Sequence, residues 1–71
     1  MKWFEIVGLL DEYTPKVEKG YILYCKVYLN DINLTIDLNK SDELTLSSND
    51  FLTIGKTTFY NIGAIKDIEF Y

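Results

Sequence analysis

The chain has 71 residues, 48% of them apolar and 25% charged, with a formal net charge of −4. A domain of this size buries only about 60% of the surface of its unfolded chain, so one hydrophobic core is the ceiling, and the apolar content is that of a folded domain, not a disordered tail. All seven basic residues are lysines and histidine is absent, which removes the arginine fork used to grip phosphate or guanine and the usual acid–base group near neutral pH.

The N-terminal stretch Met1 to Leu10 is apolar, but Glu5 interrupts it and Asp11-Glu12 follows where small cleavage-site residues would stand in a signal peptide. No apolar run approaches the length of a membrane-spanning helix, so the expected setting is the cytoplasm. Residues Trp3 to Tyr13 read as a long strand, with Phe4, Ile6, Gly8 and Leu10 on one face and Trp3, Val7 and Leu9 on the other. Gly8 then marks a bulge or bend. Thr14 to Gly20 reads as a polar loop containing Pro15.

The clearest local signal lies between Tyr21 and Asn39, where two alternating runs flank Asn30-Asp31, residue types suited to a two-residue hairpin turn. With that turn, Leu29 pairs with Ile32, Val27 with Leu34, Cys25 with Ile36 and Leu23 with Leu38 on one face. The other face pairs Tyr28 with Asn33, Lys26 with Thr35, Tyr24 with Asp37 and Ile22 with Asn39. A slip by one residue would exchange the two faces.

Lys40 to Glu43 is a polar turn before a short strand, Leu44 to Leu46, and Ser47 to Asp50 carries turn chemistry again. A second hairpin follows, Phe51 to Ile54 against Thr57 to Tyr60, with Gly55-Lys56 in the glycine-first pattern of a type II′ turn. Ile62, Ile65 and Ile68 are spaced by three, which predicts one 3₁₀ turn ahead of a last strand. This order of hairpin, short helical turn and closing strand resembles the end of an SH3-like barrel. The expected architecture is therefore a single all-β domain over residues 1–71, a small antiparallel barrel or strongly bent sheet of five to six strands. SH3-like topology is preferred, with an OB-like barrel as second choice.

Candidate chemistry is sparse. Cys25 faces inward in the hairpin register and reads as a small buried hydrophobe; its being the only cysteine excludes an intrachain disulfide and fits a reducing compartment. Asp37 to Asp42 begins like a calcium loop but places Asp42 and Ser48 where glycine and glutamate are required. The neighbours Asp11-Glu12 and Asp42-Glu43 would need a cleft to act as a hydrolytic pair, and a barrel this small encloses little space. The sequon Asn33-Leu34-Thr35 lies within a strand. No catalytic residues, metal or cofactor are expected.

What remains is the polar face of the central hairpin, where Tyr24, Lys26 and Tyr28 line one strand, with Trp3 assigned to the same surface. Tyrosine and tryptophan are typical interface anchors, so the expected function is a non-enzymatic protein-binding module whose partner is another protein or a second copy of the chain. Scarce alanine and absent glutamine beside abundant Ile, Asn, Lys and Tyr suggest a low-GC coding bias, which fits an inhibitor or accessory factor from a phage or mobile element. The first alternative is a nucleic-acid-binding barrel stacking bases on the tyrosines, opposed by the negative net charge. The second is a weakly acidic nucleic-acid mimic built from Asp31, Asp37, Asp42, Glu43, Asp50, Asp67 and Glu69.

Overall fold

The computed structural model describes residues 1–71 and places an α-helix where the sequence suggests a strand. Helix α1 spans Trp3–Glu18, and six short strands follow: β1 (Tyr24–Tyr28), β2 (Asn33–Asp37), β3 (Leu44–Leu46), β4 (Leu52–Ile54), β5 (Thr57–Phe59) and β6 (Asp67–Phe70). They form two separate three-stranded antiparallel sheets, ordered β2-β1-β6 and β3-β4-β5. Neither sheet closes. The chain is thus α+β, and the all-β barrel expected from the sequence, in both its SH3-like and OB-like forms, is incorrect.

The helix forms because Ile6, Leu10 and Val17, with Leu9 and Tyr13 beside them, recur at the three-to-four-residue interval that gathers side chains on one helical face. Apolar residues at Phe4, Ile6 and Leu10 also satisfy a two-residue period, which makes the segment ambiguous as a string. The ends are decided by capping. Glu5 Oε1 accepts the Lys2 backbone N–H at 2.9 Å, satisfying one donor that the first turn leaves open. At the other end Tyr21 N–H donates to the Lys16 carbonyl and Gly20 N–H to the Val17 carbonyl, both at 2.9 Å, the paired bonds of a Schellman stop. Gly20 makes this possible with φ of +76°.

Pro15 lies inside α1 and is tolerated near its end. Its missing N–H would have met only the carbonyl of exposed Asp11, which water can reach. Lys16 adds support from the last turn, 3.8 Å from Glu12 one turn earlier.

Both hairpins take the register that the sequence predicts. Tyr24 pairs with Asp37, Cys25 with Ile36, Lys26 with Thr35, Val27 with Leu34 and Tyr28 with Asn33. In the second hairpin Leu52 pairs with Phe59 and Thr53 with Thr58, and the two threonine hydroxyls lie 3.1 Å apart. Gly55 has φ of +61° and Lys56 does not share a positive φ, the combination that separates a type II′ turn from type I′. The 3₁₀ turn covers Ile62–Ala64, and the Met1 amino group donates to the carbonyls of Ile62, at 2.8 Å, and Ile65.

Twelve buried residues form one core between the helix and the two sheets. Ile6, Leu10 and Val17 come from α1, Cys25, Val27 and Ile68 from the first sheet, and Leu44, Leu52 and Ile54 from the second. Tyr13 locks helix to sheet by stacking on Phe70, ring centroids 4.5 Å apart. No helix is long and apolar enough to cross a membrane.

Two glycines distinguish helix from strand experimentally. An added Cβ at exposed Gly8 meets nothing within 4 Å, so Gly8→Ala should stabilise the fold by about 0.5–1 kcal/mol in urea denaturation. Gly20→Ala must adopt a left-handed conformation and meets Lys40 Cε at 2.6 Å, so it should lose about 1–2 kcal/mol in the same measurement.

Candidate functional site: the outer face of the first sheet

Strand alternation sends Cys25 and Val27 into the core and leaves Tyr24, Lys26 and Tyr28 on the opposite face of the central strand β1. Pairing with β6 sets Lys26 opposite Glu69 and Tyr28 opposite Asp67. Tyr24 and Tyr71 exchange backbone bonds at 3.2 and 2.9 Å, and their rings stack with centroids 5.0 Å apart. The three tyrosines therefore share one surface, with α1 across the core behind it.

At the head of β1 the alternation breaks. Leu23 N–H and Tyr24 N–H both donate to the Tyr71 carbonyl, at 2.6 and 3.2 Å, so two residues of one strand oppose a single residue of the other. This is a β-bulge, and a bulge re-aims side chains. Ile22 and Cys25 are buried, whereas Leu23 is 69% exposed and sits beside Tyr24 on the outer face. Leu23 keeps its expected partner, since Leu38 N–H donates to its carbonyl at 2.9 Å, but the expected facing, with Leu23 inside and Ile22 outside, is wrong at this end. At the other end Ile32, also expected inside, lies in the turn ahead of β2 and is 58% exposed.

Hydrogen bonds hold the face in place. Tyr71 Oη donates to Glu69 Oε1 at 2.9 Å, and Lys26 Nζ lies 5.8 Å from the centre of the Tyr71 ring, within reach of a cation–π attraction. The Tyr28 and Tyr71 hydroxyls beside Glu69 hold its carboxyl below the usual range, outweighing the opposing effect of desolvation. Reciprocally, hydrogen bonding to Glu69 raises the pKa of both phenols. The Tyr71 hydroxyl is thus satisfied within the face, and stacking fixes the Tyr24 ring against it.

Trp3, assigned by sequence to this surface, is elsewhere. It is 56% exposed near the start of α1, where it lines a cavity with Val7, Leu46 and Asp50. Asn39 to Asp42 has its oxygens engaged locally, with Asn39 N–H donating to Asp42 Oδ2 at 2.9 Å and Ser41 N–H to Asn39 Oδ1 at 3.0 Å. No three cysteine or carboxylate side chains come close enough together to hold a metal ion. Cys25 is fully buried, and burial pushes its thiol up to about 11. Comparison with protein-family models, curated proteins and solved structures finds no match.

The additions made by the structure are Leu23, Glu69 and Tyr71. Only Glu69-Phe70-Tyr71, a polar–apolar–aromatic alternation at the chain end, hinted at a strand with an outward tyrosine. The bulge had no local signal.

Two measurements check this geometry. Because the thiolate is the reactive form, native Cys25 should label with a disulfide reagent at pH 8 only as fast as the protein unfolds, and at the free-thiol rate in urea. Glu69 stabilises the fold above its lowered pKa and loses that contribution as pH falls through it. Tyr28→Phe should therefore move the Glu69 carboxyl titration, followed by NMR, upward toward the ordinary carboxylate range and flatten the acid limb of stability.

Proposed function

We propose that the protein is a non-enzymatic binding module that docks another protein on the outer face of the β2-β1-β6 sheet, through Leu23, Tyr24, Tyr28 and Tyr71, with Lys26 and Glu69 giving polar register. The observation that carries this reading is the bulge: it turns an apolar leucine away from a core that needs apolar area and sets it beside stacked tyrosines. In a chain this small, burying Leu23 inward would be worth about 1.5–3 kcal/mol.

The electrostatics favour a protein over a nucleic acid. Lys26 is the one cation among the residues of this face, while Asp37, Asp67 and Glu69 flank it, so phosphates would be repelled. The Tyr71 hydroxyl, already bonded to Glu69, can be covered without stranding a polar group, and the stacked Tyr24 and Tyr71 rings lose little rotamer freedom on binding. A reducing, cytoplasmic setting suits the single buried thiol, and the coding bias fits an accessory factor from a phage or mobile element.

Photo-crosslinking tests the reading in the native host. Benzoylphenylalanine in place of Tyr24 should give a discrete protein adduct that the same group at exposed Lys56, in the turn between β4 and β5, does not, and Leu23→Lys should abolish it. An adduct at twice the chain mass identifies a second copy as the partner. A nuclease-sensitive adduct, equal adducts from both positions, none from Tyr24, or survival in Leu23→Lys overturns the proposal.

A further inference from the structure

Across the core from the tyrosine face, two cavities of about 440 and 320 Å³ share Val7 and Leu46 as lining residues and so form one groove between α1 and β3. Its extent along the helix, from Trp3 to Glu18, is about 22 Å at the rise of an α-helix. The floor is apolar, made by Val7 and Leu10 of α1 and by Leu44 and Leu46 of β3. Trp3 walls one end.

β3 is an edge strand whose only neighbour is β4. Gly55 N–H donates to the Glu43 carbonyl and Ser47 N–H to the Phe51 carbonyl, so Glu43, Thr45 and Ser47 turn their backbone groups toward β4. By antiparallel alternation the N–H and C=O of Leu44 and Leu46 point to the free edge, and these same two residues line the groove. An unpaired edge is a template for one more strand.

The charged residues at the groove are all of one sign. Asp11, Glu18 and Asp50 line it and no lysine does. The one salt bridge of the molecule is Glu12 with Lys16, so these three carboxylates have no cationic partner although the chain carries seven lysines.

We infer that this groove takes an extended, basic peptide segment of a partner protein, which adds as a fourth strand to the β3 edge. The backbone groups of Leu44 and Leu46 pair with the segment. Alternate apolar side chains settle on the floor below Trp3, and the intervening Lys or Arg residues reach Asp11, Glu18 and Asp50. Main-chain bonds supply affinity and alternate side chains supply selectivity in this mode of recognition. The groove accommodates about six or seven residues at the rise of a strand. This site is independent of the tyrosine face and stands or falls separately from it.

A displayed library of random decapeptides selected on the intact chain tests the inference. Enriched peptides should alternate Lys or Arg with apolar residues and should shift the amide resonances of Leu44 and Leu46. N-methylation of alternate residues should abolish binding in one register and spare it in the other. Asp11→Asn/Glu18→Gln/Asp50→Asn should weaken binding by about tenfold, the sum of three modest surface pairs. Asp31→Asn/Asp37→Asn/Asp67→Asn, which changes net charge equally, should alter it by less than about twofold at physiological salt, where distant charges are screened. Leu23→Lys should leave peptide binding intact while removing the crosslink from the tyrosine face. No enrichment, acidic or neutral winners, equal loss in both triple variants, shifts confined to the tyrosine face, or a bound peptide that is helical would each overturn it.

Discussion

The packing of one helical face against two sheets that share no hydrogen bonds is the contact on which the rest of the molecule depends. A three-stranded sheet of short strands is stable only when one face is covered, and here Ile6, Leu10 and Val17 of α1 help cover both. The chain has no disulfide to compensate, since its one cysteine is itself part of the core. Removing the helix would expose the inner faces of both sheets at once, so the β elements and the helix should behave as one cooperative unit.

That arrangement determines what is left for function. A helix can cover one side of each sheet, and the side of the β2-β1-β6 sheet that it does not cover carries the tyrosines. The ring orientations there derive from β6, which arrives after the whole β3-β4-β5 meander and brings Glu69 and Tyr71 beside Lys26 and Tyr24. The second surface has the same origin. Placing α1 alongside β3 buries Leu10 and Leu44 but leaves room between helix and strand edge, and the charges that border this room are carboxylates without partners.

How much of this was legible in the sequence follows the range of the interaction. The Gly55-Lys56 hairpin is readable from turn chemistry and the Asn30-Asp31 hairpin from its two-residue period, since neither Asn30 nor Asp31 takes the positive φ that its residue type tolerates, and the spacing of Ile62, Ile65 and Ile68 places the 3₁₀ turn from equally local signals. The N-terminal segment is ambiguous as a sequence because Trp3, Phe4, Val7 and Leu9 add apolar residues outside the buried stripe, so both periods find matches, and Pro15 imitates a loop. Glu5 and Gly20 were the signals that could have decided it: an acceptor for the Lys2 N–H at one end and a left-handed stop at the other. The common face of Tyr24, Lys26 and Tyr28 is legible from strand alternation, whereas Trp3 lies on another surface and Leu23, Glu69 and Tyr71 join that face only in the folded chain.

The sequence by itself determined the two hairpins with their registers, the 3₁₀ turn, the inward Cys25 and the common face of Tyr24, Lys26 and Tyr28, because each depends on neighbours a few residues away. Only the tertiary structure decided that Trp3–Glu18 is a helix, that the strands divide into two open sheets instead of a barrel, and that Leu23 turns outward. The helix is selected by the core that its Ile6, Leu10 and Val17 stripe completes, and the bulge by pairing with Tyr71 at the far end of the chain. Contacts of that range leave no local signal, as at the bulge, or a period that a second one rivals, as along the helix.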